Sequence, residues 1–227
     1  MIGKAIIQKN YQLALDFLLN YSSQYDTKEN NSNRKIIAER TSELSVIDKI
    51  PKSMDIEITL LKKLSQTNDL QIVIRSIPLQ MRRFYIQAYQ SYIYNKTLSL
   101  AFEYDEDLFS PKEGDVCFDR NYMLGKFQNE PLQRLAIPLV GHSYFKKTRF
   151  DFYIKKILEE EEVSLNDFFI KDFQEISIEG GFRNAVIECN DYKTNDNIVN
   201  FDLSRGSYAT IVLREILKPE HPLESGF

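Results

Sequence analysis

A chain of 227 residues with 43% hydrophobic content can bury a sizeable core, as one large domain or two small ones. Its 29 basic residues against 33 acidic ones leave a net charge of -4, so bulk electrostatics would not draw it to a polyanion, and a nucleic-acid contact has to use a local patch. Cys117, Cys189, His142 and His221 show no metal-ligand spacing, no apolar run is long enough to span a membrane, and the amino-terminal MIGKAIIQKN is too weakly apolar for a signal sequence. Both cysteines read as reduced, small apolar residues, and the expectation is a cytoplasmic protein without metal and off the membrane.

In chain order, Ile6, Ile7, Leu13, Leu15 and Leu18 with Ala5 and Ala14 predict one or two short amphipathic helices over 3–20. The polar SSQYDTKENNSNRK, Ser22 to Lys35, reads as a long solvated loop, followed by a helix over about 34–44. Another helix opens with Ser53 as N-cap and carries Ile56, Leu60, Leu61 and Leu64 on one face. After Pro78, a stretch free of Pro and Gly from about Gln80 to Phe102 predicts a long helix, containing FYIQAYQSYIYN. Its rings could stack on RNA bases, but the spacing of Phe84, Ala88 and Tyr92, and of Tyr85, Tyr89 and Ile93, favours a buried face.

Beyond it, GDVCFDRNYMLGKF alternates short apolar runs with turn residues, IPLVGHSY reads as a strand running into a turn, and 150–162 as a helix. The acidic run Glu159 to Glu162 reads as a solvated helix end. ISIEGGFRNAVIEC and NIVNFDL read as two strands joined by the turn DYKTNDN. Then Ser204-Arg205-Gly206 forms a turn, Ser207 a natural N-cap, and Tyr208 to Leu217 a helix. That strand, turn and helix could cradle a phosphate with Arg205 as donor, or Gly206 could simply fit a positive-φ turn. Tyr208 could lie against a base or belong to a core, and Arg183, beside a double glycine, could pair with a carboxylate. Arg82 with Arg83, Lys146 with Lys147 and Arg149, and Lys155 with Lys156 are local basic clusters that could line a groove.

RRFYIQAYQSYIYNKTLS, Arg82 to Ser99, closely resembles the tyrosine-rich helix of TruD-type RNA pseudouridine synthases of the archaeal and eukaryotic branch, and FDLSRGSYATIVLREILK, Phe201 to Lys218, resembles that family's closing strand, turn and helix. GDV at 114–116, IPLVG at 137–141 and GGFR at 180–183 stand in the family's order. The resemblance implies an α+β fold in three parts: the end of a catalytic-domain segment (1–20), a mainly helical inserted domain (21–175) and the carboxyl-terminal portion of an antiparallel-sheet catalytic domain (176–227). It implies isomerisation of uridine in tRNA or another RNA, with no cofactor, through an aspartate nucleophile and a flipped-out nucleotide.

The family's aspartate lies in a G-x-K-D motif ahead of the tyrosine-rich helix, and no such motif occurs here. The only Lys-Asp pair, Lys171-Asp172, lacks the glycine and follows that helix, and the stretch N-Y/F-F/Y-G-x-Q-R-F-G is also absent. No catalytic residue is therefore assigned. Tyr208 carries over as the ring that helps hold the flipped base, Gly206 and Ser207 as the turn that positions it, and Arg183 as the family's arginine after the glycine-rich turn, with Arg205 a further substrate-binding candidate. The chain alone is expected to be inactive and to contribute to an enzyme together with RNA and an amino-terminal catalytic fragment, or a second copy of itself. The alternative is a non-catalytic RNA-binding or protein-interaction module. Two strands alone would leave an open edge and an apolar face, so residues from about Ile176 onward are expected to need a partner.

Overall fold

The computed structural model describes residues 1–40, 44–144, 147–204 and 206–226. It begins with α1 (Ile2–Ile7) and α2 (Tyr11–Leu19), as expected, the second capped by Asn10, whose side chain accepts from the Leu13 amide at 3.1 Å. α1 lies so close to the long helix α6 (Leu79–Glu103) that a Cβ added to Gly3 would stand 2.1 Å from the Tyr85 carbonyl oxygen.

The expected loop over 22–35 is corrected by α3 (Lys28–Arg40). This helix forms through local polar bonds, which an apolar-stripe criterion cannot see. Thr27 Oγ1 accepts from the Asn30 amide, Asp26 accepts from the Asn30 side chain at 2.8 Å and pairs with Arg34, and Arg34 also reaches Glu57 at 3.1 Å. Ile37, fully buried, ties it to the core. α4 (Asp55–Leu64) buries Leu60 and Leu61 as expected, but starts after Met54 and takes no side-chain cap from Ser53. α5 (Leu70–Arg75) is capped by Asp69, which accepts from the amides of Gln71 and Ile72.

The length of α6 agrees with the sequence reading, and so does the burial of Tyr89 and Ile93 with Tyr85 packed beside them; the stripe of Phe84, Ala88 and Tyr92 does not. Arg82, Ile86, Tyr89, Gln90, Ile93, Tyr94, Thr97 and Ala101 point into the protein, whereas Phe84 is 58% and Tyr92 46% exposed. Three buried polar side chains are tolerated because each has a partner: Arg82 Nε donates to the Ile77 carbonyl at 3.0 Å, Gln90 Nε2 to that of Val140 at 2.6 Å, and Thr97 Oγ1 to that of Ile93 at 2.9 Å.

Four antiparallel strands follow, β1 (Val116–Phe118), β2 (Leu124–Lys126), β3 (Arg134–Leu139) and β4 (Gly181–Asn184), in the order β2-β1-β3-β4. α7 (Asp151–Glu160) packs on α6 between β3 and β4 in sequence. The stretch ISIEGGFRNAVIEC thus holds β4 and only the first residue of β5, and most of the expected turn DYKTNDN is strand β5. Gly180 (φ +96°) and Gly141 approach so closely that a Cβ on Gly141 would lie 2.1 Å from the Gly180 nitrogen, and β4 is thereby steered onto β3, with Ile137 opposite Arg183. β5 (Cys189–Asn195) pairs instead with β6 (Ile198–Leu203) across a tight turn that includes Asp196 at φ +49°.

One hydrophobic core runs from α1 to Ile176, with Ile178 and Ala185 partly buried against it. Residues 176–184 are therefore packed, and the uncovered surface begins after Ala185, later than the sequence suggests. β5 is exposed along its whole length, β6 alternates exposed and half-buried residues, and α8 (Ala209–Leu217) buries none of its residues. The mixed helical and antiparallel architecture matches the α+β expectation.

Candidate functional site

β6 delivers the chain to a turn that α8 then leaves. The Ser207 amide donates to the Ser204 carbonyl at 3.1 Å and the two serine hydroxyls lie 3.0 Å apart. Gly206 sits at φ +90°, a backbone region that L side chains rarely adopt. Arg205 lies outside the described residues. The helix starts one residue later than expected: Tyr208 is the N-cap (φ -109°, ψ 117°), no side chain caps it, and its carbonyl accepts from the Ile211 amide. Tyr208 is 72% exposed, so its ring is presented to solvent and not to a core.

Arg183 is on a different sheet. It is exposed on β4, and its guanidinium carbon stands 5.1 Å from the centre of the Tyr94 ring. Tyr94 in turn donates to the Asn184 carbonyl at 2.7 Å, which fastens β4 to α6. Burial pushes the Tyr94 hydroxyl up to about 12, against the pull of Arg183, so it stays a donor at any physiological pH. Between the two sheets runs a polar cleft of about 240 Å³ that includes Asn184, Asp202 and Ser204. It is walled by Arg134, which faces Glu188 at 3.3 and 3.4 Å and lies over the Tyr122 ring. Gly206, Ser207 and Tyr208 are thus brought together by the local turn, whereas Arg183 sits on another element against Tyr94, and none of the four lines the cleft.

Asp172, the aspartate of the lone Lys-Asp pair, is held as a structural acceptor. Tyr11 Oη donates to its carboxylate at 3.0 Å and Gln71 Nε2 at 3.4 Å, while Arg75 donates to its carbonyl at 2.6 Å. Burial and then that hydrogen bond raise the Tyr11 hydroxyl well above the ordinary tyrosine value. Among the described residues no group of three or more His, Cys, Asp or Glu could hold a metal ion, and no helix is long and apolar enough to cross a membrane.

The basic clusters are partly consumed by the fold. Arg149, 12% exposed, pairs with Glu106 at 2.6 Å and lies 3.0 Å from Asp115; Arg82, 7% exposed, pairs with Glu175 at 2.7 Å. Neither is free for phosphate, and Lys146 lies outside the described residues. Sequence reasoning also missed Glu161. Read as part of a solvated run, it is 12% exposed and receives Lys4 at 3.0 Å, Tyr92 at 2.9 Å and Lys96 at 3.2 Å, joining α1, α6 and the end of α7. Burial works to raise its pKa; the bonds from Lys4, Tyr92 and Lys96 outweigh this and hold it down to about 2.

The model of the family described as tRNA pseudouridine synthase D (TruD) matches residues 1–216. A protein of Pyrobaculum islandicum named "Probable tRNA pseudouridine synthase D" is 29% identical over 231 residues, covering 100% of this chain and 55% of its own. One of the same name from Archaeoglobus fulgidus is 29% identical over 242 residues, covering 96% and 57%. A crystal structure from Methanosarcina mazei named "Putative tRNA pseudouridine synthase D (TruD)" superposes with a TM-score of 0.79 at 26% identity, covering 98% of this chain and 58% of that one. The chain therefore spans about half the length of the relatives it matches. With the family model running from its first residue to the penultimate residue of α8, the chain belongs to the tRNA pseudouridine synthase D (TruD) family.

Proposed function

We propose that these residues supply the inserted domain and the base-holding turn of an RNA pseudouridine synthase acting on tRNA, and that the nucleophilic aspartate comes from polypeptide outside the 227. In this reading 1–20 ends a catalytic-domain segment, 21–175 is the inserted domain and 176–227 closes the catalytic domain. Tyr208 holds the uracil once it has left the stack, Gly206 and Ser207 set the angle of that ring, and Arg205 and Arg183 are further candidates for substrate binding. Isomerisation needs no cofactor: the carboxylate attacks, the base detaches, turns and rejoins through carbon.

The observation that carries this reading is the unit after Ala185. A two-stranded hairpin and a helix with no buried residue leave Ile198, Ile211, Ile216 and Leu217 exposed, a surface that a larger antiparallel sheet would cover. The functional tyrosine sits on this unit, so completing the sheet and completing the site are one event.

The engagement of Asp172 favours a second reading, a non-catalytic module, because no carboxylate within the described residues stands beside Tyr208 in a family motif. The test is to incubate a tRNA transcript with the chain alone and with the G-x-K-D half of the Methanosarcina mazei relative, and to map pseudouridine by carbodiimide-blocked primer extension. Formation only with both pieces supports the synthase reading; RNA binding without formation under any pairing supports the module.

A further inference from the structure

The groove between α1, α2 and α6 is lined by five aromatic rings, Phe17, Tyr21, Tyr85, Tyr89 and Tyr92, and has a volume of about 440 Å³. Ala88 forms part of its floor, and Met1, 73% exposed, lines it as well. Tyr21 (58%), Phe84 (58%) and Tyr92 (46%) extend the apolar surface around it. This accounts for the part of FYIQAYQSYIYN that the core does not absorb.

No lysine or arginine side chain lines the groove, and the Met1 amino group, the positive group on its lining, has Glu161 near enough to act on it, so a phosphate backbone would find little counter-charge there. Lys4 and Lys96 on the flanking helices are committed, Lys4 to Glu161 and Lys96 to Glu160 and Glu161. The hydroxyls of Tyr89 and Tyr92 also reach Glu161, at 3.4 and 2.9 Å, so the rings offer mainly carbon surface to an occupant. Exposed apolar surface of this kind marks an interaction site.

We propose that this groove seats an apolar segment of the polypeptide that carries the family's G-x-K-D motif. The proposal rests on the synthase reading above and adds the place where the two pieces meet on the inserted-domain side. Two observations select this occupant. The relatives are nearly twice as long as the stretch they share with this chain, at 55% and 57% coverage. In the family that the sequence resembles, the G-x-K-D motif lies ahead of the tyrosine-rich helix, and Met1 lines the groove, so a segment ahead of it stands next to the rings.

The test uses the whole chain and a fluorescent peptide copying the residues that directly precede the matched region in the Archaeoglobus fulgidus relative, read by anisotropy. Ala88→Arg fills the groove from an exposed helix position, Tyr21→Asp charges its rim beyond α2, and Leu132→Arg is a distant exposed control. The expected result is saturable binding to the wild type and the control, weakened at least about tenfold by each groove variant. Absence of binding, or equal binding by all four proteins, overturns the proposal. A short oligouridine that binds the wild type and is lost in the groove variants also overturns it, by assigning the groove to RNA. The pseudouridine assay above separates the two claims: conversion that Ala88→Arg leaves unchanged sinks the groove and spares the synthase reading, while peptide binding without conversion does the reverse.

Discussion

Replacing Glu161 by glutamine keeps the shape of the side chain and removes the charge on which Lys4 and Lys96 converge. Folding lowers this carboxyl from the ordinary 4.5 to about 2, which at about 1.36 kcal/mol per pH unit corresponds to about 3 kcal/mol of stabilisation. Lys4 and Lys96 are 21% and 34% exposed, so solvent screening reduces this to about 2 kcal/mol at neutral pH. Because the folded pKa lies below the unfolded one, the contribution is complete above the unfolded value and disappears as pH falls from about 4.5 towards 2. Urea unfolding of wild type and Glu161→Gln from pH 7 down to pH 2.5 measures the difference between them. A gap of about 2 kcal/mol at pH 7 that narrows progressively below pH 4.5 is expected. A gap of the same size at every pH would show that Glu161 acts through packing alone and would refute the reasoning.

Gly3→Ala forces a methyl against the Tyr85 carbonyl at the crossing of α1 and α6 and should cost about 2 kcal/mol in chemical unfolding. Arg82→Met takes from Glu175 its closer partner and removes the guanidinium 5.7 Å from the Phe173 ring, and because Glu175 keeps some water and Arg75 at 3.9 Å the loss should be about 2 kcal/mol, below the about 3–5 kcal/mol of a fully buried pair. Tyr208→Ala should change stability by less than about 0.5 kcal/mol, since the ring is mostly in water, yet abolish most pseudouridine formation by the two-piece enzyme. An equal loss of stability and activity would make Tyr208 a packing residue.

The reading of α6 shows what periodicity can and cannot recover. The absence of Pro and Gly gave its extent within a residue or two, and the spacing found Tyr89 and Ile93 in the core, but it also selected the exposed Phe84 and Tyr92 and passed over the buried Arg82, Gln90 and Thr97. Those polar residues are inside because Ile77, Val140 and Ile93 offer carbonyls to them, and partners distant in sequence leave no trace in helical spacing. The first part of α3, ahead of the helix expected over 34–44, was illegible for the opposite reason, since it is held by the Asp26, Asn30, Arg34 and Glu57 network and not by an apolar stripe; 34–40 is helical as expected, and 41–43 lie outside the described residues. β4 could not be assigned to β3 without the contact between Gly141 and Gly180. The Gly206 turn was legible from residue type, and the exposure of Tyr208 followed only from seeing that nothing in the described fold covers α8.

The central claim is that a self-sufficient core ends near Ala185 and that the hairpin and α8 are completed by a second piece. Hydrogen exchange on the isolated, verified monomer tests it most directly. The account predicts that amides of α6 and β3 exchange near the global unfolding limit while those of 189–217 exchange orders of magnitude faster, and that adding the G-x-K-D half of a relative slows the latter set selectively. Slow exchange throughout 189–217 in the monomer alone would contradict it.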